Sequence, residues 1–187
     1  MSLLQVYTKA EGRLALQVYG AHGKHKIKAA YQPLSIVELT YSVNPSRPIA
    51  TVDTIDPVFL PEQVYADIRR QSIALFVTEM LMLTLTHPQQ DEPIYEFLDD
   101  FVHELNDDPA PENLHISFMM QLAELLGIGS PAEEISNFKF QNSNLKSQIT
   151  NHKLRQQLLR QLCDYYLTHV DSFRLPKSLD ILIEVFD

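Results

Sequence analysis

The stretch RRQSIALFVTEMLMLTLT, Arg69–Thr86, constrains this chain more than any other. Ten of the fifteen residues from Ser72 to Thr86 are apolar, neither Gly nor Pro interrupts them, and Glu79 is their only charge. A helix apolar nearly all round offers water no face, so it belongs at the centre of a helical domain. A bilayer span needs about 20 apolar residues, and this run is shorter and broken by Glu79, so no membrane role is expected. Glu79 itself requires a polar partner that the sequence does not name.

A length of 187 residues allows one large domain or two small ones. The single cysteine, Cys163, excludes an internal disulfide and a cysteine-rich zinc site. No signal peptide is read at Met1–Leu4, and a reducing, cytoplasmic location is the default expectation.

The net charge of −9 speaks at first against a nucleic-acid partner. Its distribution reverses that. Residues 1–52 hold six basic side chains (Lys9, Arg13, Lys24, Lys26, Lys28, Arg47) against two acidic ones, whereas residues 71–138 hold thirteen acidic and no Lys or Arg. Exposed charges more than about 10 Å apart are largely screened at 0.1 M salt. A basic module joined to an acidic one can therefore bind an anion despite the total.

Taken in order, the chain divides at about residue 58. LLQVYT and RLALQVYG flank the turn Lys9–Gly12 and alternate at period two, as half-buried strands do. GAHGKHKIKAA, Gly20–Ala30, reads as an exposed basic loop. Two further strands are expected within Pro33–Val43 and Pro48–Thr54, then a connector at Asp56–Pro61. From Glu62 onward the pattern is helical. A first helix runs to about Thr86, where His87-Pro88 stops it. A second begins near Asp91-Glu92-Pro93, a third follows Pro111 and ends at a Gly127 cap, a fourth spans about His152–Val170, and a fifth starts near Lys177. The expected fold class is α+β: a small antiparallel β module, an incomplete OB-like barrel at 1–58, followed by an all-helical domain at 59–187. Four short strands are marginal alone and need to pack on something.

On the β module, basic residues interleave with Tyr7, Tyr19 and Tyr31. Single-stranded nucleic acid is bound by cations that neutralise phosphates and rings that stack on bases. Lys9, Arg13, Lys24, Lys26, Lys28, Arg47 and Tyr19 are the candidate nucleic-acid contacts; the competing explanation is a solvated lysine loop above core tyrosines. The acidic run Asp91–Asp108 reads as a solvated face rather than a cation cage, since no calcium-loop spacing occurs. The histidines lack metal-ligand spacing, and no nucleophile elbow or phosphate-cradling glycine loop is present. No catalytic residues, metal or cofactor are expected. Lys153, Gln156 and Arg160 share a helical face, with Arg155 nearby, and form either a second basic surface or an ordinary solvated one.

SLLQVYTKAEGR (Ser2–Arg13), YGAHGKHKIKAA (Tyr19–Ala30), QPLSIVEL (Gln32–Leu39) and IRRQSIALFVTEML (Ile68–Leu81) together resemble the RecO family of bacterial recombination mediators. DYYLTHV and FRLPKSLDILIEVF, within Asp164–Phe186, resemble its Bacteroidetes branch. The resemblance implies an N-terminal OB-type barrel and a helical domain. It implies binding of single- and double-stranded DNA, strand annealing, and loading of recombinase together with RecR and the acidic tail of single-strand-binding protein. It also implies a cytoplasmic, nucleoid-associated location and DNA contacts at Lys9, Arg13, Lys24, Lys26 and Lys28.

Three departures from the family pattern stand out. The barrel's first strand is expected to be missing. The family's cysteine-ligated zinc motif is absent. The segment around Asn137–Asn151 is short; the resemblance implies a single-strand-binding-protein site on basic residues of the helical domain, and since Gln71–Phe138 offers none, it is expected on Lys146–Arg160, at Lys153, Arg155 and Arg160. The alternative function is a protein-interaction adaptor that binds no DNA.

Overall fold

The computed structural model describes residues 2–19, 30–135, 149 and 151–186. Lys24, Lys26 and Lys28 lie outside the described residues. The chain forms two compact units, one of residues Met1–Glu62 and Leu85–His103, the other of Gln63–Thr84 and Glu104–Asp187.

The first unit is built on strands β1 (Ser2–Thr8), β2 (Gly12–Val18), β3 (Ile36–Ser42) and β4 (Thr51–Phe59). They form one open sheet in the order β1-β2-β4-β3. β1 and β2 make the expected hairpin, with Leu4 opposite Leu16 and Val6 opposite Leu14. Leu16 and Val18 are buried, so the period-two pattern identified the inward face correctly. Gly12 turns the chain at φ +69, and a Cβ there would lie 1.9 Å from the carbonyl oxygen of Gln89. Both conditions require glycine.

Two expectations are corrected in this unit. The sheet is mixed rather than wholly antiparallel: β2 meets β4 in parallel at Gln17 and Thr51. β4 also continues through the supposed connector as far as Phe59, with Pro57 opposite Val37. Proline is tolerated because it removes only a donor that a sheet interior would need. β2 pairs with β4 only at Thr51, well before Pro57, and a register shift at Ile36/Val37 takes up the irregularity.

The helices are α1 (Glu62–Ala66), α2 (Ile68–Thr84), α3 (Glu92–Asp107), α4 (Leu114–Leu125, after a 3₁₀ turn at Pro111–Asn113), α5 (Pro131–Glu134), α6 (His152–His169) and α7 (Leu179–Val185). The expected first helix is thus two. The break falls at Asp67, whose carboxylate accepts a hydrogen bond from the Arg69 amide at 2.9 Å. A short acidic side chain competes with the helix for backbone donors and starts a new one. Asp91 caps α3 in the same way, accepting from the Ile94 amide at 3.0 Å. Arg70 closes the far end of α3: its guanidinium donates to the carbonyls of Leu105 and, at 2.6 Å, of Asp108. A cation there satisfies orphan carbonyls and complements the helix dipole. Gly127, at φ +69, ends α4 as expected.

The centre of the second unit is shared. α2 buries Ile73, Ala74, Phe76, Val77 and Met80, but leaves Leu75 and Met82 exposed on the strip that carries Glu79. α4 is the more enclosed: eight of its twelve residues are buried, and it touches α2, α5 and α6. The hub expected at α2 alone is therefore an α2–α4 pair. Tyr166 of α6 fixes this core by donating to the Met119 carbonyl at 2.7 Å.

Glu79 finds its partner at the start of α7. Its carboxylate accepts from the Lys177 amide at 2.9 Å, the Ser178 amide at 2.9 Å and the Ser178 hydroxyl at 2.8 Å. Burial pushes the carboxyl's pKa up, but these three donors more than offset it and the net shift is downward.

Candidate nucleic-acid interface

The cations of the β-sheet unit differ in how much of their charge is already engaged. Lys9, in the β1–β2 turn, pairs with Glu92 at 2.9 Å. Its ammonium also lies 6.0 Å from the Tyr95 ring centre. Glu92's hydrogen bond and charge hold the ammonium's pKa above its ordinary value, with Glu96 and Tyr95 adding to the effect. Both partners are more than half exposed, so the pair is a solvated one of small energetic weight. Arg13, on β2, is more firmly committed. Its Nη1 donates to the Leu85 carbonyl at 2.6 Å and its Nε to Gln5 Oε1 at 3.4 Å. Tyr7 on β1 is half-buried, and burial, then the charge of Asp91, raises its hydroxyl pKa.

Arg47 and Tyr19 are arranged differently. Arg47 occupies the exposed β3–β4 turn, and Tyr19 follows the last residue of β2. The Arg47 guanidinium lies 5.7 Å from the Tyr19 ring centre, and its Nη1 donates to the Tyr19 hydroxyl at 3.3 Å. That hydroxyl donates in turn to Gln17 Oε1 at 2.7 Å. Among the described residues Arg47 has no carboxylate partner. The structure thus brings Arg47 and Tyr19 together and commits Lys9 and Arg13 to the segment Leu85–Glu92.

In the second unit, Lys153 and Arg160 are exposed on α6 while Arg155 turns inward. Arg155 Nε donates to Asn113 Oδ1 at 2.8 Å, and its guanidinium lies 5.6 Å from the Phe186 ring centre. Two residues along a helix turn the side chain through about 200°, which separates Arg155 from Lys153.

Beside Arg155 lies a feature that spacing rules did not reveal. His115 is fully buried on α4, and neither ring nitrogen has a hydrogen-bond partner among the described residues. Its ring stacks on Phe186 at 5.8 Å and meets Phe76 edge-on at 6.4 Å. Burial, reinforced by the Arg155 charge, lowers its pKa to about 3. His115 is therefore neutral at physiological pH. A small hollow lined by His115, Arg155, Gln156 and Phe186 opens beside it. The apolar neighbours Leu114 and Ile116 were the signal for burial in the sequence.

Cys163 is buried, and burial pushes its thiol pKa up to about 12, which disfavours the nucleophilic thiolate. Among the described residues, no three His, Cys, Asp or Glu side chains gather as a metal site would require, and no helix is long and apolar enough to cross a membrane.

Comparison with known proteins places this architecture. Residues 65–134 match the family described as "Recombination protein O C terminal". The chain is 25% identical over 219 residues to DNA repair protein RecO of Flavobacterium johnsoniae, covering 98% of this chain and 91% of that protein. It is 24% identical over 226 residues to DNA repair protein RecO of Porphyromonas gingivalis, covering 100% and 92% respectively. Both alignments are longer than the 187 residues of this chain, so the relatives carry residues within the aligned span that have no counterpart here. The chain is thus similar from end to end to these RecO repair proteins, and its residues 65–134 match the family's C-terminal region.

Proposed function

We propose that this chain is a non-enzymatic mediator of recombinational repair that binds single- and double-stranded DNA, promotes annealing, and helps load recombinase with RecR and single-strand-binding protein. In this reading the β module, residues 1–58, attracts DNA, and the helical region, residues 59–187, repels it and receives protein partners in the cytoplasm at the nucleoid. The observation that carries the reading is the charge division. Six basic side chains against two acidic ones in residues 1–52 adjoin a stretch, 71–138, with thirteen acids and no Lys or Arg. The similarity to DNA repair proteins supports the repair context. The exposed Lys153 and Arg160 of α6 favour an acidic partner segment, such as the tail of single-strand-binding protein, on that face.

Binding of this kind is electrostatic and falls steeply with salt. Fluorescence anisotropy with single-stranded and duplex probes, over a range of salt, tests it. Replacing Lys24, Lys26 and Lys28 together by Ala should flatten the slope of log affinity against log salt by about 2 for a single strand, at roughly 0.7 per phosphate contact. An unchanged slope removes those lysines from the interface. No salt-sensitive binding in the wild-type chain overturns the DNA reading and favours an adaptor.

A further inference from the structure

Tyr19 and Arg47 come from segments 28 positions apart, and the sheet holds both in place. The Gln17 amide donates to the Ala50 carbonyl at 2.8 Å, which ties the end of β2 to the start of β4. The turn carrying Arg47 is closed by its own amide on the Asn44 carbonyl at 2.9 Å and by the Ser46 amide on Asn44 Oδ1 at 2.9 Å. Pro45 fixes its own φ within the turn, and Pro48, immediately after the arginine, restricts the Arg47 backbone. The Tyr19 hydroxyl, bonded to both Gln17 and Arg47, does not rotate freely. Yet Tyr19 remains 51% exposed. An aromatic ring this open, fixed at its polar end and accompanied by a guanidinium without a carboxylate partner among the described residues, makes little structural use of its apolar face.

We propose that Tyr19 and Arg47 form a preorganised platform that stacks an unpaired nucleobase, with the guanidinium reading the adjoining phosphate or extending the stack. The proposal rests on the DNA-binding reading above and deepens it: the platform distinguishes single-stranded from duplex DNA. Within a duplex both faces of each base are covered by neighbours, so only an unpaired base can offer a face to the ring. Stacking on an aromatic side chain is tolerant of base identity, because every base has a π-face. A planar guanidinium also stacks, which an ammonium does not. Lys9 and Arg13, whose charges already have local partners, are poorer candidates for this role.

Three probes of equal length separate the contributions by anisotropy: oligo-deoxythymidine, the same strand made abasic, and a duplex. The abasic strand keeps the phosphates and removes the stacking. Tyr19→Ala should lower affinity for oligo-deoxythymidine about tenfold, within the range seen for single base-aromatic stacks. It should leave the abasic strand and the duplex within about twofold. Arg47→Lys should reduce the same preference while keeping the salt slope, since charge is kept and planarity lost. The chain contains no tryptophan, so Tyr19→Trp provides a unique fluorophore. Its emission should be quenched by oligo-deoxythymidine and not by the abasic strand.

If Tyr19→Ala lowers affinity for all three probes equally, or for none, the platform is refuted while DNA binding stands. If the wild-type chain binds no probe, both the platform and the DNA reading fall. Thermal unfolding of each variant, expected to match wild type at these exposed positions, guards against loss of fold.

Discussion

Glu79 offers the sharpest physical test of the fold. Its carboxylate accepts from the Lys177 and Ser178 amides and the Ser178 hydroxyl, at 2.8–2.9 Å. The contact joins α2 to the start of α7 across 98 and 99 positions of sequence. Removing an N-terminal cap costs about 0.5–2 kcal/mol, and hydrogen bonds to a charged acceptor contribute about 1.5–3 kcal/mol. The Lys177 amide is exposed and water can replace its partner, so the full sum does not apply. Glu79→Ala should therefore cost about 2 kcal/mol, and Glu79→Gln, which keeps one acceptor oxygen, about 1 kcal/mol.

For a domain of this size, about 2 kcal/mol corresponds to a fall in Tm of roughly 4–8 °C. The pH dependence follows from the lowered pKa of Glu79. A depressed carboxyl stabilises the fold fully above its ordinary value of 4.5, and that contribution disappears as pH falls through the folded value. The wild-type advantage over Glu79→Gln should thus be full at pH 7 and shrink below pH 4.5. Urea unfolding followed by circular dichroism across pH measures it. Equal midpoints for wild type and Glu79→Gln at pH 7 would refute the cap; so would a difference that persists undiminished well below that range.

Two other perturbations read separate parts of the molecule. His115 acts with the same sign as Glu79 but over a higher pH range: its folded pKa is about 3 against an ordinary 6.5, so the unfolded chain binds the proton first and stability falls as pH drops from 6.5 towards 3. His115→Leu should keep or raise stability at pH 7, because it removes two unsatisfied buried nitrogens, and should flatten the acid limb of a pH-stability curve. A variant as acid-sensitive as wild type would exclude His115 as a cause. Glu92→Gln frees Lys9 and removes the negative charge at the start of α3 that pairs with it, so DNA affinity at low salt should rise a few-fold, whereas Asp99→Asn should have a smaller effect. Equal effects of the two variants in titration would show that only total charge matters.

Legibility in the sequence followed the range of the interaction concerned. The β1–β2 hairpin, the Gly127 cap, the Asp91 start of α3 and the inward face of β2 all depend on neighbours within a few residues, and all were readable. The split at Asp67 is also local, but neither Gly nor Pro marks it between Pro61 and Pro88, so the pattern reads as one continuous helix. β4's passage through Pro57 is not legible locally, because proline breaks a strand only where the backbone needs its donor, and that depends on which strand lies alongside.

The sequence by itself determined that the chain is α+β, with a basic strand-rich beginning and an acidic helical middle. Periodicity, turn chemistry and charge counts are properties of neighbouring residues. Only the tertiary structure decided which cations remain free of local partners. Lys9 and Arg13 engage Glu92 and Leu85, while Arg47, indistinguishable from them in a charge count, stands beside Tyr19. It also decided that α4 shares the centre with α2 and that Glu79 answers to Ser178. Those pairings join residues far apart in sequence, and no local pattern encodes which distant backbone a side chain will meet.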